Sequence, residues 1–276
     1  PSLIKEYDDD LYIGSNNGDI YILDGTNDNG EVIENGDYEI GNICIIPEYQ
    51  GRGIGTKILK DVIKQNIERN IKLQHFKQNP VGNLYKRLGF VLVSESKYHY
   101  QMEKPKIKIE LKQLSTDMGK SEYEMLQGIL DVENGFSNPA YNLSYQEYKE
   151  WLQEVDNHSK SKDLPEGWVP YTTYVLYIND NPVGYGRVRH TSSEYLENVI
   201  GAGNLGYGIS KEHRGKGYGN ILFKELLKKC KDFGYREIKL FPLKSNEATV
   251  KIMLKNGGEI IGDFKGEKHI ILIPIK

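Results

Sequence analysis

The order of apolar and polar positions divides the first part of the chain into short strand candidates and amphipathic helix candidates. In the first 46 residues the apolar positions form short runs such as LYIG and IYIL, and Asn17-Gly18 between two of these runs predicts a hairpin. After a glycine-rich stretch, apolar residues recur at intervals of three and four, which predicts a helix. Strand, short-helix and strand-pair patterns follow up to Met102. This order indicates a mixed α/β domain in residues 1–104.

The rest of the chain repeats this order behind an additional segment. The segment contains a strand pattern, KIKIELKQL, and two helix patterns that we expect to open with capping boxes, Ser121 with Glu124 and Ser144 with Glu147. A predicted hairpin, a glycine-rich stretch, a helix, a strand, a short helix and two final strands then follow. We therefore predict a second, complete domain in residues 105–276.

The two glycine-rich stretches are copies of each other. PEYQGRGIGTKIL begins at Pro47 and KEHRGKGYGNILF begins at Lys211, and the two align without a gap at an offset of 164 residues. A period of this length indicates a duplicated domain and is too long for a solenoid repeat. The first copy has almost nothing ahead of its hairpin pattern, so the first domain is predicted to be truncated.

A glycine-rich turn that leads into a helix suits a phosphate group, because free backbone N–H groups and the positive end of the helix dipole meet there. A dinucleotide fingerprint would need a third glycine, where the two copies have Thr56 and Asn220. A Walker loop would need Gly-Lys followed by Ser or Thr, which neither copy has. The remaining pattern is [Q/R]-x-x-G-x-G after a strand. Taken alone, it also fits a simple glycine-capped turn.

Composition limits the possible functions. Of the 276 residues, 38% are hydrophobic and 27% are charged, which is typical of a globular protein with a substantial core. No apolar run approaches the roughly 20 residues of a membrane helix, and the first residues do not resemble a secretion signal. Cys44 and Cys230 are far apart in strand-like and helix-like patterns, which favours a reducing cytoplasm and no metal site. A net charge of −3 without a basic stripe argues against nucleic acid.

Several motifs together resemble the GNAT acetyltransferase superfamily. In the first half they are YEIGNICIIPEYQGRGIGTKIL followed by NPVGNLYKRLGF. In the second half, LPEGWVPYTTYVL, GYGRVRH, GNLGYGISKEHRGKGYG and SNEATVKIMLKNGG resemble a group of predicted acetyltransferases. The resemblance covers nearly the whole chain from Leu11. It implies two GNAT-like α/β domains, each a mixed, mostly antiparallel sheet flanked by helices, with acetyl-CoA in a cleft where two parallel strands separate.

The resemblance also implies which residues bind the cofactor. Backbone amides of each glycine-rich turn would bind the pyrophosphate, and the strand before it would pair with pantetheine. The first-half residues are Ile43, Ile45, Gln50, Gly51, Arg52, Gly53, Ile54, Gly55, Thr56 and Asn79. The second-half residues are Tyr207, Ile209, Arg214, Gly215, Lys216, Gly217, Tyr218, Gly219, Asn220 and Asn246.

Catalytic residues of the family type occur in the first half. Glu39, eleven residues before Gln50, matches the position of a general base, and Tyr85 matches the tyrosine that protonates the thiolate. An exposed carboxylate at a strand edge and a core aromatic are the corresponding structural interpretations. In the second half the same positions hold Gly203 and Met253, and a thioether cannot donate a proton. The sequence leaves open which half is active.

The resemblance implies an acetyl-CoA-dependent N-acetyltransferase that acts on a primary amine of a small molecule or peptide. One alternative is a CoA-binding or interaction protein in which one or both halves are inactive. Another is an aminoacyl transferase that uses charged tRNA, which the net charge disfavours. Either a monomer with pseudo-dimeric domains or a homodimer fits the duplication.

Overall fold

The fold comes from a computed structural model that describes residues 3–7, 10–14, 20–23, 37–41 and 51–275, with the backbone alone for the first three of these ranges. The chain divides into two compact units, residues 1–107 and 108–276. Within the described residues, no helix has the length and the apolar character needed to cross a membrane.

The first unit contains two sheets and two helices. Its strands are β1 (Leu3–Tyr7), β2 (Asp10–Gly14), β3 (Ile20–Leu23), β4 (Tyr38–Ile40), β5 (Ile71–Phe76), β6 (Val91–Glu95) and β7 (His99–Lys104), and its helices are α1 (Ile54–Gln65) and α2 (Gly82–Arg87). Strands β1, β2 and β3 form an antiparallel sheet. The second sheet has the order β4-β5-β7-β6, in which β4 and β5 are parallel and the other pairs antiparallel. The predicted turn at Asn17-Gly18, between β2 and β3, lies outside the described residues.

The core of the first unit lies on one face of the four-stranded sheet. Leu59 and Val62 of α1 and Tyr85 of α2 pack against the buried side chains of β4, β5 and β7. The side chains of β5 alternate between buried and exposed, as expected when helices cover one face only. The opposite face is exposed at Glu39 and Lys72.

The second unit is larger. Its strands are β8 (Ile109–Gln113), β9 (Val132–Glu133), β10 (Phe136–Ser137), β11 (Tyr171–Ile178), β12 (Asn181–Arg189), β13 (Leu205–Ile209), β14 (Glu237–Leu240), β15 (Glu259–Phe264) and β16 (Lys268–Pro274). Its helices are α3 (Lys120–Gln127), α4 (Tyr145–Ser159), α5 (Tyr218–Asp232) and α6 (Glu247–Lys255). Antiparallel sheets have the orders β13-β12-β11-β8 and β14-β16-β15, and β9 and β10 form a hairpin.

Helices cover both faces of the first of these sheets. Helices α3 and α4 pack on β12 and β11, and α5 packs on β12 and β13. All eight residues of β11 are therefore buried, and its sequence, YTTYVLYI, lacks the polar alternation of a strand with one solvated face.

One of the two predicted capping boxes is wrong. Helix α4 begins after Ser144, which exchanges hydrogen bonds with Glu147 as predicted, with Glu147 N donating to Ser144 Oγ at 3.3 Å. Helix α3 instead begins after Gly119, so the Ser121–Glu124 pair does not open it. The carboxylate of Glu122 accepts from Gly119 N at 2.9 Å and from the buried Tyr177 hydroxyl at 2.7 Å. The same carboxylate therefore caps the helix and links it to β11.

Candidate active site

The two glycine-rich turns have the same backbone geometry. Gly51 and Gly53 have φ values of 71° and 77°, and Gly215 and Gly217 have values of 76° and 90°. This left-handed region is easily adopted only by glycine. Gly53 and Gly217 directly precede α1 and α5. The sequence repeat is therefore also a structural repeat.

Each turn presents backbone donors to open space. In the second unit, the N–H groups of residues 215–219 have no acceptor among the residues that the structure describes. A Cβ atom at Gly215 would have no neighbour within 4 Å. In the first unit, the N–H groups of residues 53–56 likewise have no acceptor in the described ranges. Gln50, Ile43 and Ile45 lie outside the described residues. A row of free donors at the positive end of a helix suits phosphate oxygens.

Strands β13 and β14 meet at one end and then separate. Asn204 N donates to Lys239 O at 3.0 Å, and Lys239 N donates to the Asn204 side-chain oxygen at 2.7 Å. Beyond this contact β14 belongs to a different sheet, and no ladder joins the two strands. An opening therefore runs along β13 from Asn204 towards the glycine-rich turn.

Backbone groups of both strands face this opening. Arg189 N donates to Asn204 O, and Ser210 N donates to Val183 O. These two bonds fix which residues of β13 direct their peptide groups towards β12. In an antiparallel ladder every second residue directs both its N–H and C=O groups away from the partner strand. The peptide groups of Leu205, Tyr207 and Ile209 therefore point into the opening. By the same reasoning from the β14–β16 ladder, the peptide N–H and C=O groups of Phe241 point into the opening from the other side.

Gly203 occupies the position that corresponds to Glu39. It is buried where the strands meet, and a Cβ atom there would lie 2.1 Å from Lys239 O and 2.7 Å from Leu240 Cα. Both neighbours are backbone atoms, so they cannot move aside without displacing β14. The second unit therefore has no room for a side chain at the position where the first unit has a carboxylate.

We expect Gly203→Ala to lower the free energy of unfolding by about 2 kcal/mol or more, because overpacking against backbone is not easily relieved. Gly219→Ala is the matched control. A Cβ atom at Gly219 would meet its nearest neighbour, Ile252, at 3.4 Å, and alanine favours a helix. Urea denaturation followed by circular dichroism should place the midpoint of Gly203→Ala below that of wild type and the midpoint of Gly219→Ala at or above it. A Gly203→Ala midpoint equal to wild type would contradict the close approach of the strands.

The Arg214 side chain binds other groups of the second unit. It forms a bidentate ion pair with Glu133, with both N···O distances 2.6 Å, and its Nε donates to Ile209 O at 2.9 Å. The pair lowers the pKa of Glu133. The ion pair fixes the direction of the Arg214 side chain.

The ion pair holds the β9–β10 hairpin against β13. Phe136 of the hairpin lies where Cβ atoms of Gly206 and Gly208 would be, and Gly135 at its turn is close to Leu243 in the loop after β14. The hairpin therefore covers one face of β13 and extends to the other side of the opening.

Helix α6 borders the opening through its N-terminus. The Asn246 side chain accepts from Thr249 N at 3.3 Å and caps the helix. Met253, at the position that corresponds to Tyr85, is buried. The hydroxyl of Tyr207 is buried beside Thr249 of this helix, and burial raises its pKa to about 12.

In the first unit, Glu39 and Tyr85 lie on opposite faces of the sheet. Glu39 is in register with Lys72, which is in register with Glu103, and all three border a surface cavity of about 260 Å³. Tyr85 is 8% exposed in the core on the other face, and burial raises its pKa. Its hydroxyl has no hydrogen-bond partner among the described residues. Asn79, ahead of α2, accepts from Val81 N at 3.0 Å.

The sequence analysis missed two buried arginines. Arg187 and Arg189 of β12 are 7% and 9% exposed. The signal was present in GYGRVRH, because two arginines at alternate positions of a strand share one face. Burial lowers the pKa of Arg189 to about 10.

Comparisons with known proteins assign both units to one family. A model of the acetyltransferase (GNAT) family matches residues 139–257, and a model of an acetyltransferase (GNAT) domain matches residues 10–92. No curated protein matches the sequence. The two family matches fall one on each unit.

Similar solved structures include three acetyltransferases. N-acetyltransferase PseH of Campylobacter jejuni is 16% identical, and the alignment covers 61% of this chain and 99% of that chain with a TM-score of 0.41. A GNAT-family acetyltransferase of Streptococcus pneumoniae is 16% identical, with 61% and 100% coverage and a TM-score of 0.42. The PaiA N-acetyltransferase of Thermoplasma acidophilum, solved with coenzyme A, is 16% identical, with 60% and 99% coverage and a TM-score of 0.39.

Proposed function

Because the chain belongs to the GNAT acetyltransferase superfamily, with one such domain in each half, we propose that it is an acetyl-CoA-dependent N-acetyltransferase that acts on a primary amine of a small molecule or peptide. We place the boundary between the two GNAT domains at residues 104 and 105. The proposal for the cofactor rests on one observation, the row of free N–H groups at residues 215–219 beside an open strand.

The second-unit cleft has the donors that CoA requires. The N–H groups of the glycine-rich turn would hold the pyrophosphate, and the α5 dipole would add to these hydrogen bonds. The outward peptide groups of Tyr207 and Ile209 would hold the pantetheine arm along β13, as they would an added strand. Asn246 lies at the opposite wall. Acetyl-CoA supplies the activated acetyl group.

The first unit repeats the phosphate site at residues 51–56 and adds acid–base groups. Tyr85 donates the proton that the departing thiolate needs, and Glu39 accepts the proton of the amine through water. The peptide N–H groups of the strand before the glycine-rich turn are candidates to stabilise the oxyanion of the tetrahedral intermediate.

This function is tested by measuring the consumption of acetyl-CoA in the presence of a panel of primary amines. We expect CoA release with at least one amine and none without an acceptor, and mass spectrometry should find the product heavier by one acetyl group. CoA binding without turnover of any amine or peptide N-terminus would instead support a binding protein.

A further inference from the structure

Arg187 and Arg189 are buried side by side without acidic partners among the residues that the structure describes. Both project from the same face of β12, and each is at least nine-tenths buried. Arg187 Nη2 donates to Ser137 O at 2.7 Å, and Arg189 Nη1 donates to Gly203 O. Neither guanidinium forms an ion pair with a carboxylate of the described residues, and the Nε atoms of both lack an acceptor there.

Without a bound anion, this arrangement lowers the stability of the folded state. Burying a charge without a counter-ion carries a penalty of several kcal/mol, and two neighbouring cations add mutual repulsion. The rings of Phe136 and Tyr171, 5.1 Å and 5.5 Å from the Arg187 guanidinium carbon, offset only part of this cost. The lowered pKa of Arg189, caused first by burial and then by Arg187, is the result expected of an uncompensated pair.

The pair lies beside the cleft. Arg187 is in register with Gly206 of β13 and faces the β9–β10 hairpin through Ser137 and Phe136. Arg189 binds the carbonyl of Gly203, the residue at which β13 and β14 meet. A ligand that contacts both arginines is therefore within reach of the closed end of the cleft, beneath the hairpin.

We propose that the acceptor of the second unit carries an oxyanion, a carboxylate or a phosphate, which binds Arg187 and Arg189 while its amine reaches the thioester. This rests on the proposed function. Guanidinium groups bind these anions through parallel hydrogen bonds, and the Nε donors of both arginines lack an acceptor among the described residues. In the transfer, the amine nitrogen forms the new bond to the acetyl carbon, the carbon–sulfur bond breaks, and the amine proton passes to water while the thiolate leaves.

The first unit presents the opposite charge at the corresponding face. Glu39 and Glu103 flank Lys72, which is itself paired with Asp37. An acidic face does not attract an anionic acceptor. The oxyanion requirement is therefore specific to the second unit.

Matched pairs of amines test the proposal in the Gly51→Val background, in which the first glycine-rich turn is blocked. For a carboxylate, β-alanine is compared with propylamine. For a phosphate, phosphoethanolamine is compared with ethanolamine. We expect the anionic member of at least one pair to have the higher kcat/KM. Arg187→Gln should remove that advantage, about thirtyfold, and Arg187→Lys should restore part of it, whereas Arg236→Gln, an exposed control, should not change it.

Binding of the same probes provides a readout that does not depend on turnover. Calorimetry with phosphoethanolamine and β-alanine, with and without CoA, should show binding to wild type that is lost in Arg187→Gln while the melting temperature is kept. If the anionic amines bind in an arginine-dependent way but are not acetylated, the proposed acetyl transfer is wrong and only the anion-binding site stands. Equal or better use of the neutral amines, or anion binding that is insensitive to Arg187→Gln and Arg189→Gln, would overturn the proposal itself.

Discussion

Gly215→Val should abolish CoA binding by the second unit. A valine side chain at this position would extend into the space above the free N–H groups, where the proposal places the pyrophosphate. Loss of two charge-assisted hydrogen bonds would weaken binding at least a hundredfold, at about 1.5–3 kcal/mol each. Isothermal titration calorimetry with CoA measures this loss, and Gly51→Val, at φ 71°, should have the same effect on the first unit.

Gly234→Val is the matched control for folding strain. Gly234 follows α5 at φ 82°, and a Cβ atom there would also meet nothing within 4 Å. Valine in this left-handed conformation costs roughly the same at both positions, on the order of 1–2 kcal/mol. CoA affinity should be unchanged in Gly234→Val. If Gly215→Val and Gly51→Val both bind CoA as wild type does, the glycine-rich turns are not the cofactor site.

Tyr85→Phe should lower turnover by the first unit about a hundredfold, the usual contribution of a general acid. The measurement uses the Gly215→Val background, so that only the first unit holds CoA. Phenylalanine keeps the ring packed among Tyr38, Leu73 and Phe90, and the hydroxyl has no partner in the described core to lose. CoA affinity and melting temperature should therefore remain close to those of the parent.

The pH profile distinguishes an acid from a packing residue. Burial raises the pKa of Tyr85 above its ordinary value of 10.0, so the phenol stays protonated and the rate should fall only as the pH rises beyond 10. That decline should be absent in Tyr85→Phe. Tyr100→Phe is the control, because the Tyr85 and Tyr100 rings lie at similar distances from His75, 5.5 Å and 5.6 Å. Full activity in Tyr85→Phe, or an equal loss in Tyr100→Phe, would refute the assignment.

Local features of this protein could be predicted from its sequence. Glycine at 51, 53, 215 and 217 is needed for positive φ values, and the apolar spacing that follows each turn is sufficient to predict α1 and α5. The capping box of α4 is equally local, because Ser144 and Glu147 satisfy each other. These features depend on residues within a few positions of each other, and the duplication follows from comparing the two copies.

Other features depend on long-range contacts and were decided by the tertiary structure alone. The carboxylate of Glu122, which caps α3, also binds the Tyr177 hydroxyl, 55 residues away. Gly203 is confined by the backbone of β14, and the Arg214 guanidinium binds Glu133 across 81 residues. The sequence placed two arginines on one face of a strand, but only the fold buried both, with no acidic partner in the described part of the chain. Which charges meet inside a protein depends on the pairing of distant segments, and no local pattern encodes it.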